Sequence, residues 1–134
     1  MTPRTSAYRF RVRYSETDQM GHVFYARALD WFEWGRTELL REAGLPYAEV
    51  EARGVFLPVV EAHARFLAPT KYDQLLEIVT AAFLSGRARL RCEATVVDTA
   101  TGETVIEGHT VHAFTDAGGK PIRPPRWFTD ALDA

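Results

Sequence analysis

One long helical period stands in a chain otherwise patterned for strands, and that imbalance limits the folds open to it. From Val23 to Ala43, the residues Tyr25, Leu29, Phe32, Leu40 and Ala43 fall on one side at helical spacings. Gly44 supplies a C′ residue and Pro46 prevents the helix from resuming. A helix of roughly 20 residues is about 30 Å long. Strand patterns surround it. Tyr8 to Tyr14 alternates, with Tyr8, Phe10, Val12 and Tyr14 facing the core and Arg9, Arg11 and Arg13 facing water. After a short helix over Tyr47 to Arg53, strand patterns run from Val55 to Leu67, Leu75 to Leu84, Arg87 to Val97 and Thr104 to Thr115. Pro58 marks the first of these as an edge or a bulge. Ser85-Gly86 and a Thr-Gly turn within Asp98 to Glu103 make tight connections. A last short helix is expected near Thr129 to Leu132.

A single long helix has no second helical layer to pack on, so the sheet must cover it. The expected class is α+β, one long central helix wrapped by a five-stranded antiparallel sheet. At 134 residues one domain is expected, over residues 1–134. Its 46% hydrophobic content can fill a core without disulfides. One helix leaves sheet edges and apolar surface uncovered, and edge pairing of two copies would cure both, so a homodimer or homotetramer is expected. Trp31 and Trp34 lie opposite the apolar stripe, where the Trp127-Phe128 tail or another subunit is expected to cover them. Arg36 sits within the stripe and is expected to pair with Glu33.

The net charge of −2 gives no general attraction for nucleic acid, and no recognition-helix module is visible. No segment approaches a membrane span, and MTPRTSAYRF lacks a signal-peptide core, so membrane insertion is not expected and a cytoplasmic location is. The lone Cys92 sits in an alternating strand and reads as a buried structural thiol. His63, His109 and His112 lack the spacing of a metal site, so structural roles and no metal are expected.

The stretch that carries chemistry is Tyr14 to Tyr25, YSETDQMGHVFY, where strand gives way to helix. Gly21 permits a sharp turn and close approach of a ligand to the backbone. The first N–H groups of a helix have no intrahelical partners and sit at the positive end of its dipole. They suit an oxygen that becomes negative during a reaction. Asp18 beside them could activate water or attack directly, or it could merely cap the helix. Glu16 is expected to be solvated, and His22 alone reads as a surface or packing residue.

The segment Tyr14 to Leu40, with FLAPTKYDQLLEIV from Phe66 to Val79 and the tail GKPIRPP with Trp127, resembles the hotdog-fold acyl-CoA thioesterases of the 4-hydroxybenzoyl-CoA thioesterase type. That group includes bacterial thioesterases associated with the Tol–Pal system. The T-D-x-x-G turn followed by Phe24-Tyr25 is its most specific part. The resemblance implies a hydrolase of acyl- or aryl-CoA, dimeric or tetrameric, working without a cofactor. It implies Asp18 as nucleophile or general base and the backbone N–H of Tyr25 as the group that polarises the thioester carbonyl, with His22 in a supporting role. The chain departs from many relatives in having Tyr25 where they carry His. In other hotdog branches a helix glutamate does the chemistry, which keeps Glu33 as a second candidate.

The substrate is strongly anionic, so Lys71, Arg87, Arg89 and Arg91 are candidate contacts for CoA. Gly21 and Phe24 complete the expected substrate-binding set, and Phe24, Tyr25 or Phe56 could line the acyl group. Two further readings stand beside hydrolysis. One is an enoyl-CoA hydratase or dehydratase using His22 with a carboxylate across a dimer. The other is a non-catalytic acyl-CoA-binding domain.

Overall fold

A computed structural model describes residues 3–134. In chain order the elements are β1 (Arg4–Arg11), α1 (Arg27–Glu42), α2 (Tyr47–Ala52), β2 (Val59–Phe66), β3 (Leu75–Ser85), β4 (Arg89–Asp98), β5 (Thr104–Ala113) and α3 (Arg126–Asp133). The five strands form one antiparallel sheet in the order β1-β3-β4-β5-β2, with β1 and β2 at its edges. The expected α+β architecture is borne out. The helix is shorter than its pattern promised, 16 residues rather than about 20.

The alternation in β4 works as read. Leu90, Cys92, Ala94 and Val96 are buried, and burial pushes the Cys92 thiol up to about 12. Gly44 takes φ +77 just beyond α1, and the Leu45 N–H reaches back to the Leu40 carbonyl at 2.8 Å. Pro58 ends one pairing and precedes another. Phe56 bridges Thr115, and β2 starts after the proline with a register shift between Val59 and Glu61.

Several expectations need correction. Strand β1 begins and ends earlier than the alternation implied, and Tyr14 is exposed in a 3₁₀ turn rather than facing the core. The buried face of α1 is Ala28, Trp31, Phe32, Gly35, Leu39 and Leu40, whereas Tyr25 and Leu29 are 67% and 44% exposed. Trp31 therefore belongs to the core, with its ring 5.0 Å from Phe10. Trp34 packs edge-on against Phe10, under the Arg13 guanidinium. The tail does not cover either tryptophan. Phe128 sits in a separate cluster with Leu39, Val50 and Phe114, and Arg53 stacks on Trp127 at 3.7 Å. Arg36 forms no ion pair with Glu33 among the described residues; its guanidinium donates to Thr110 Oγ1 at 3.4 Å.

Among the described residues no helix is long and apolar enough to cross a membrane. Two packed clusters divide the core. One joins Phe10, Trp31, Phe32, Ile78, Val96 and Ile106 under the first half of α1. The other lies under its second half, against α2 and α3. The first cluster is the floor on which the strand-to-helix turn rests.

Candidate active site

Strand β1 ends at Arg11, but the chain stays tied to the sheet through Val12, which exchanges backbone hydrogen bonds with Asp73 and Gln74. It then turns through Tyr14–Glu16 and folds back on itself. Thr17 bridges Val23, and the Asp18 N–H donates to the His22 carbonyl at 2.8 Å. Gly21 lies at the tip with φ +78, a conformation that favours glycine. His22 in turn bridges Lys71, and the Val23 N–H donates to Thr70. The turn is thus held against the segment between β2 and β3.

Asp18 does not cap α1. The residue at the N-cap position is Ala26, eight positions later, and it offers no side-chain cap. Instead Oδ1 of Asp18 accepts from the N–H of Met20 at 2.9 Å and, more loosely, from that of His22 at 3.4 Å. Among the described residues Oδ2 accepts no hydrogen bond. Asp18, His22, Val23 and Tyr25 form one wall of an open cleft of about 380 Å³; Phe66, Leu67, Ala68, Pro69 and Thr70 form the other. At the helix entrance Ala28 and Leu29 donate to the Tyr25 and Ala26 carbonyls, while the N–H groups of Tyr25 and Ala26 find no protein acceptor among the described residues. Tyr25 thus stands one residue before the N-cap rather than within the first helical turn. Asp18, with spare acceptor capacity at Oδ2, and Tyr25, with an unengaged N–H, therefore line one depression.

The structure brings Asp18, Gly21, His22, Tyr25 and Lys71 to this end of the molecule. Phe24 is in the same turn, and its ring lies 4.7 Å from that of Tyr25. Arg87 and Arg89 are not brought here. Arg87 lies in the β3–β4 connection and Arg89 opens β4, at the far end of an 11-residue strand, roughly 30 Å away. Glu33 lies farther along α1 and lines a different cavity with Arg36, Thr37 and Tyr47. Of the histidines, His112 is buried, whereas His63 and His109 stack in the sheet and His109 bonds Glu61 at 2.7 Å.

Sequence reasoning missed Glu16. Expected in water, it is 4% exposed, and its carboxylate accepts from the backbone N–H of Arg13 at 2.7 Å and from Trp31 Nε1–H at 2.8 Å. The signal lay in Trp31, since a buried indole requires an acceptor. It was hidden because Trp31 had been assigned to the wrong helix face. The wall from Phe66 to Thr70 was also missed as part of a site, because it carries no reactive side chain.

A helix on a five-stranded antiparallel sheet, with a carboxylate where the first strand turns toward the helix, is the architecture expected of the hotdog class. Residues 12–132 match the model of the Thioesterase-like superfamily, and the chain belongs to that superfamily. The resemblance drawn from Tyr14 to Leu40 is borne out at that level. YneP of Bacillus subtilis, whose name describes a candidate acyl-CoA thioesterase, is 42% identical over 69 residues, 52% of this chain. The match spans 50% of YneP and 56% of an Aquifex aeolicus relative, so the chain spans about half the length of these curated relatives. A hypothetical protein from Thermus thermophilus has a similar structure, with 38% identity and a TM-score of 0.89 over 96% of this chain and 97% of that one. A DHNA-CoA thioesterase from Staphylococcus aureus is 27% identical, with a TM-score of 0.86 over 94% and 85% of the two chains.

Proposed function

We propose that this chain hydrolyses the thioester of an acyl- or aryl-CoA to a free acid and CoA. The observation that carries the reading is that Asp18, with its unengaged Oδ2, lines the same cleft as Tyr25, whose N–H has no acceptor among the described residues. The names of YneP and the Staphylococcus aureus enzyme support CoA thioesters as the substrate class.

Two routes fit a single carboxylate. In one, Asp18 attacks the acyl carbon and expels the CoA thiolate, leaving a mixed anhydride that water then hydrolyses. In the other, Asp18 takes a proton from water as that water attacks. Both routes put negative charge on the thioester carbonyl oxygen. The N–H groups of Tyr25 and Ala26 are the donors for that charge. An oxyanion donor of this kind typically contributes roughly 3 kcal/mol to lowering the barrier. No cofactor enters either route. His22 supports the turn, Gly21 leaves the backbone open to the thioester, and Phe24 with Tyr25 offers apolar surface to the acyl group.

Lys71 is the near cation for the CoA phosphates. Arg87 and Arg89 meet substrate only from another subunit, given their distance along the sheet. That requirement agrees with a homodimer or homotetramer. It also agrees with the open edge of β2, beside which Tyr25, Leu29, Ala62, Ala64 and Phe66 line an apolar depression. Residues 1–134 act as one thioesterase domain in this reading, and the single buried thiol suits a cytoplasmic setting.

The test is a panel of short, long and aryl CoA esters with release of free thiol as the readout. Turnover of at least one ester is expected. Saturable binding without thiol release would instead describe a binding domain, and hydration of an enoyl-CoA with the thioester intact would describe a hydratase.

A further inference from the structure

We infer that Glu16 is a positioning residue, which fixes the separation between the Asp18 carboxylate and the Tyr25 amide; the inference rests on the hydrolytic reading of that cleft. Three hydrogen bonds converge on Glu16. Its Oε1 accepts from the Arg13 N–H, its Oε2 from Trp31 Nε1–H, and its backbone carbonyl from the Phe24 N–H at 2.9 Å. The first ties it to the exit of β1. The second ties it to the buried face of the first half of α1. The third closes the base of the loop that runs from Glu16 to Phe24.

The two groups proposed for the reaction hang from this base. Asp18 is two residues beyond Glu16, and Tyr25 is one residue beyond Phe24. Inside the loop, the Thr17–Val23 bridge and the Asp18–His22 hydrogen bond transmit the constraint. A carboxylate and an oxyanion donor must be set to a fraction of an ångström, and a shift of about 1 Å can cost about 100-fold in rate.

The chemistry of Glu16 argues that its hydrogen bonds, rather than its volume, matter here. Burying a carboxylate is costly unless its oxygens are bonded. Among the described residues no cation lies within ion-pair distance of it. Two N–H donors approach two different oxygens. A glutamine of the same size offers one acceptor oxygen and turns an N–H₂ group toward the other donor. Glu16→Gln is therefore nearly isosteric but breaks the junction.

The experiment compares the wild-type chain with Glu16→Gln, Trp31→Phe and Leu39→Ala. Steady-state kinetics on a hydrolysed CoA ester are read together with amide hydrogen exchange over residues 17–23. Leu39 is fully buried in the other cluster, so its variant is a control for lost stability alone. Glu16→Gln is expected to lower kcat about tenfold to hundredfold with KM little changed, and to speed exchange in the loop. Trp31→Phe, which removes one donor and keeps a ring in the core, is expected to change both in the same direction by less. Should Glu16→Gln not fold, Trp31→Phe carries the test. A kcat for both variants no lower than that of Leu39→Ala overturns the inference. Failure of the hydrolytic reading of the cleft looks different: no ester of the panel releases thiol, or Asp18→Asn turns over at the wild-type rate, whatever Glu16→Gln does to exchange.

Discussion

At Asp18 one oxygen closes the turn and the other is left to the cleft. Capping and reactivity looked like competing roles in the sequence. In the fold the carboxylate does local structural work with Oδ1 alone, and α1 begins without it. Another side chain gains its character from its partners in the same way. His112 is buried between Thr110 and the Leu57 carbonyl. Its Nδ1–H donates to Leu57, so Nε2 accepts from the Thr110 hydroxyl, whose oxygen accepts from Arg36. This directional chain needs a neutral ring. Burial first, then the Arg36 charge, pulls His112 down to about 4, against the pull of the Leu57 carbonyl. The unfolded chain binds that proton near pH 6.5, so stability falls as pH drops from about 6.5 toward 4 and levels off below. The total loss is about 3 kcal/mol. Denaturant unfolding at pH 7 and pH 4 should reveal it. His112→Gln should abolish this part of the acid sensitivity, and an unchanged pH dependence in that variant would contradict the assignment.

At the scale of elements, most strands were legible because alternation of apolar and polar residues survives burial on one face. The helix existed where its period placed it, but its buried face was misjudged. Large apolar side chains drew the stripe through Tyr25 and Leu29, which remain exposed in the single chain. Ala28 and Gly35 are too small to register as hydrophobic, yet they mark where the sheet comes closest. A Cβ on Gly35 would stand 2.4 Å from Thr80 Oγ1 and 3.2 Å from Ile78. Sequence alone cannot reveal such an approach, since it depends on partners more than 40 residues away. Gly35→Ala is expected to destabilise the chain by about 1–3 kcal/mol through overpacking. Adding Thr80→Ala, which removes an oxygen that is buried without a hydrogen-bond partner, should restore part of the loss. Thermal unfolding of the two variants checks this, and a stabilised Gly35→Ala would refute it.

At the scale of the whole molecule, the face misread as core is the one that a second copy would cover. Leu29 on α1 and Tyr25 just before it adjoin β2, an edge strand whose Val59, Val60 and Phe66 are exposed. Sedimentation of the wild-type chain is expected to give a dimer or tetramer. Leu29→Arg should shift it toward monomer and raise KM, because Arg87 and Arg89 would no longer reach a neighbouring cleft. A wild-type monomer at micromolar concentration would contradict that arrangement. The candidate site was legible where it depends on one contiguous turn. It was illegible where it depends on packing, as at Glu16, and where it depends on distance along the sheet, as at Arg87 and Arg89.

The central claim is that the free oxygen of Asp18 acts on a thioester. The most direct measurement is kcat for Asp18→Asn on the best ester of the panel, with unfolding measured alongside. Asparagine keeps an oxygen for the Met20 N–H, so the turn and its stability should persist. We predict that kcat falls by about 100-fold or more. An Asp18→Asn chain that hydrolyses the ester at the wild-type rate would contradict the account.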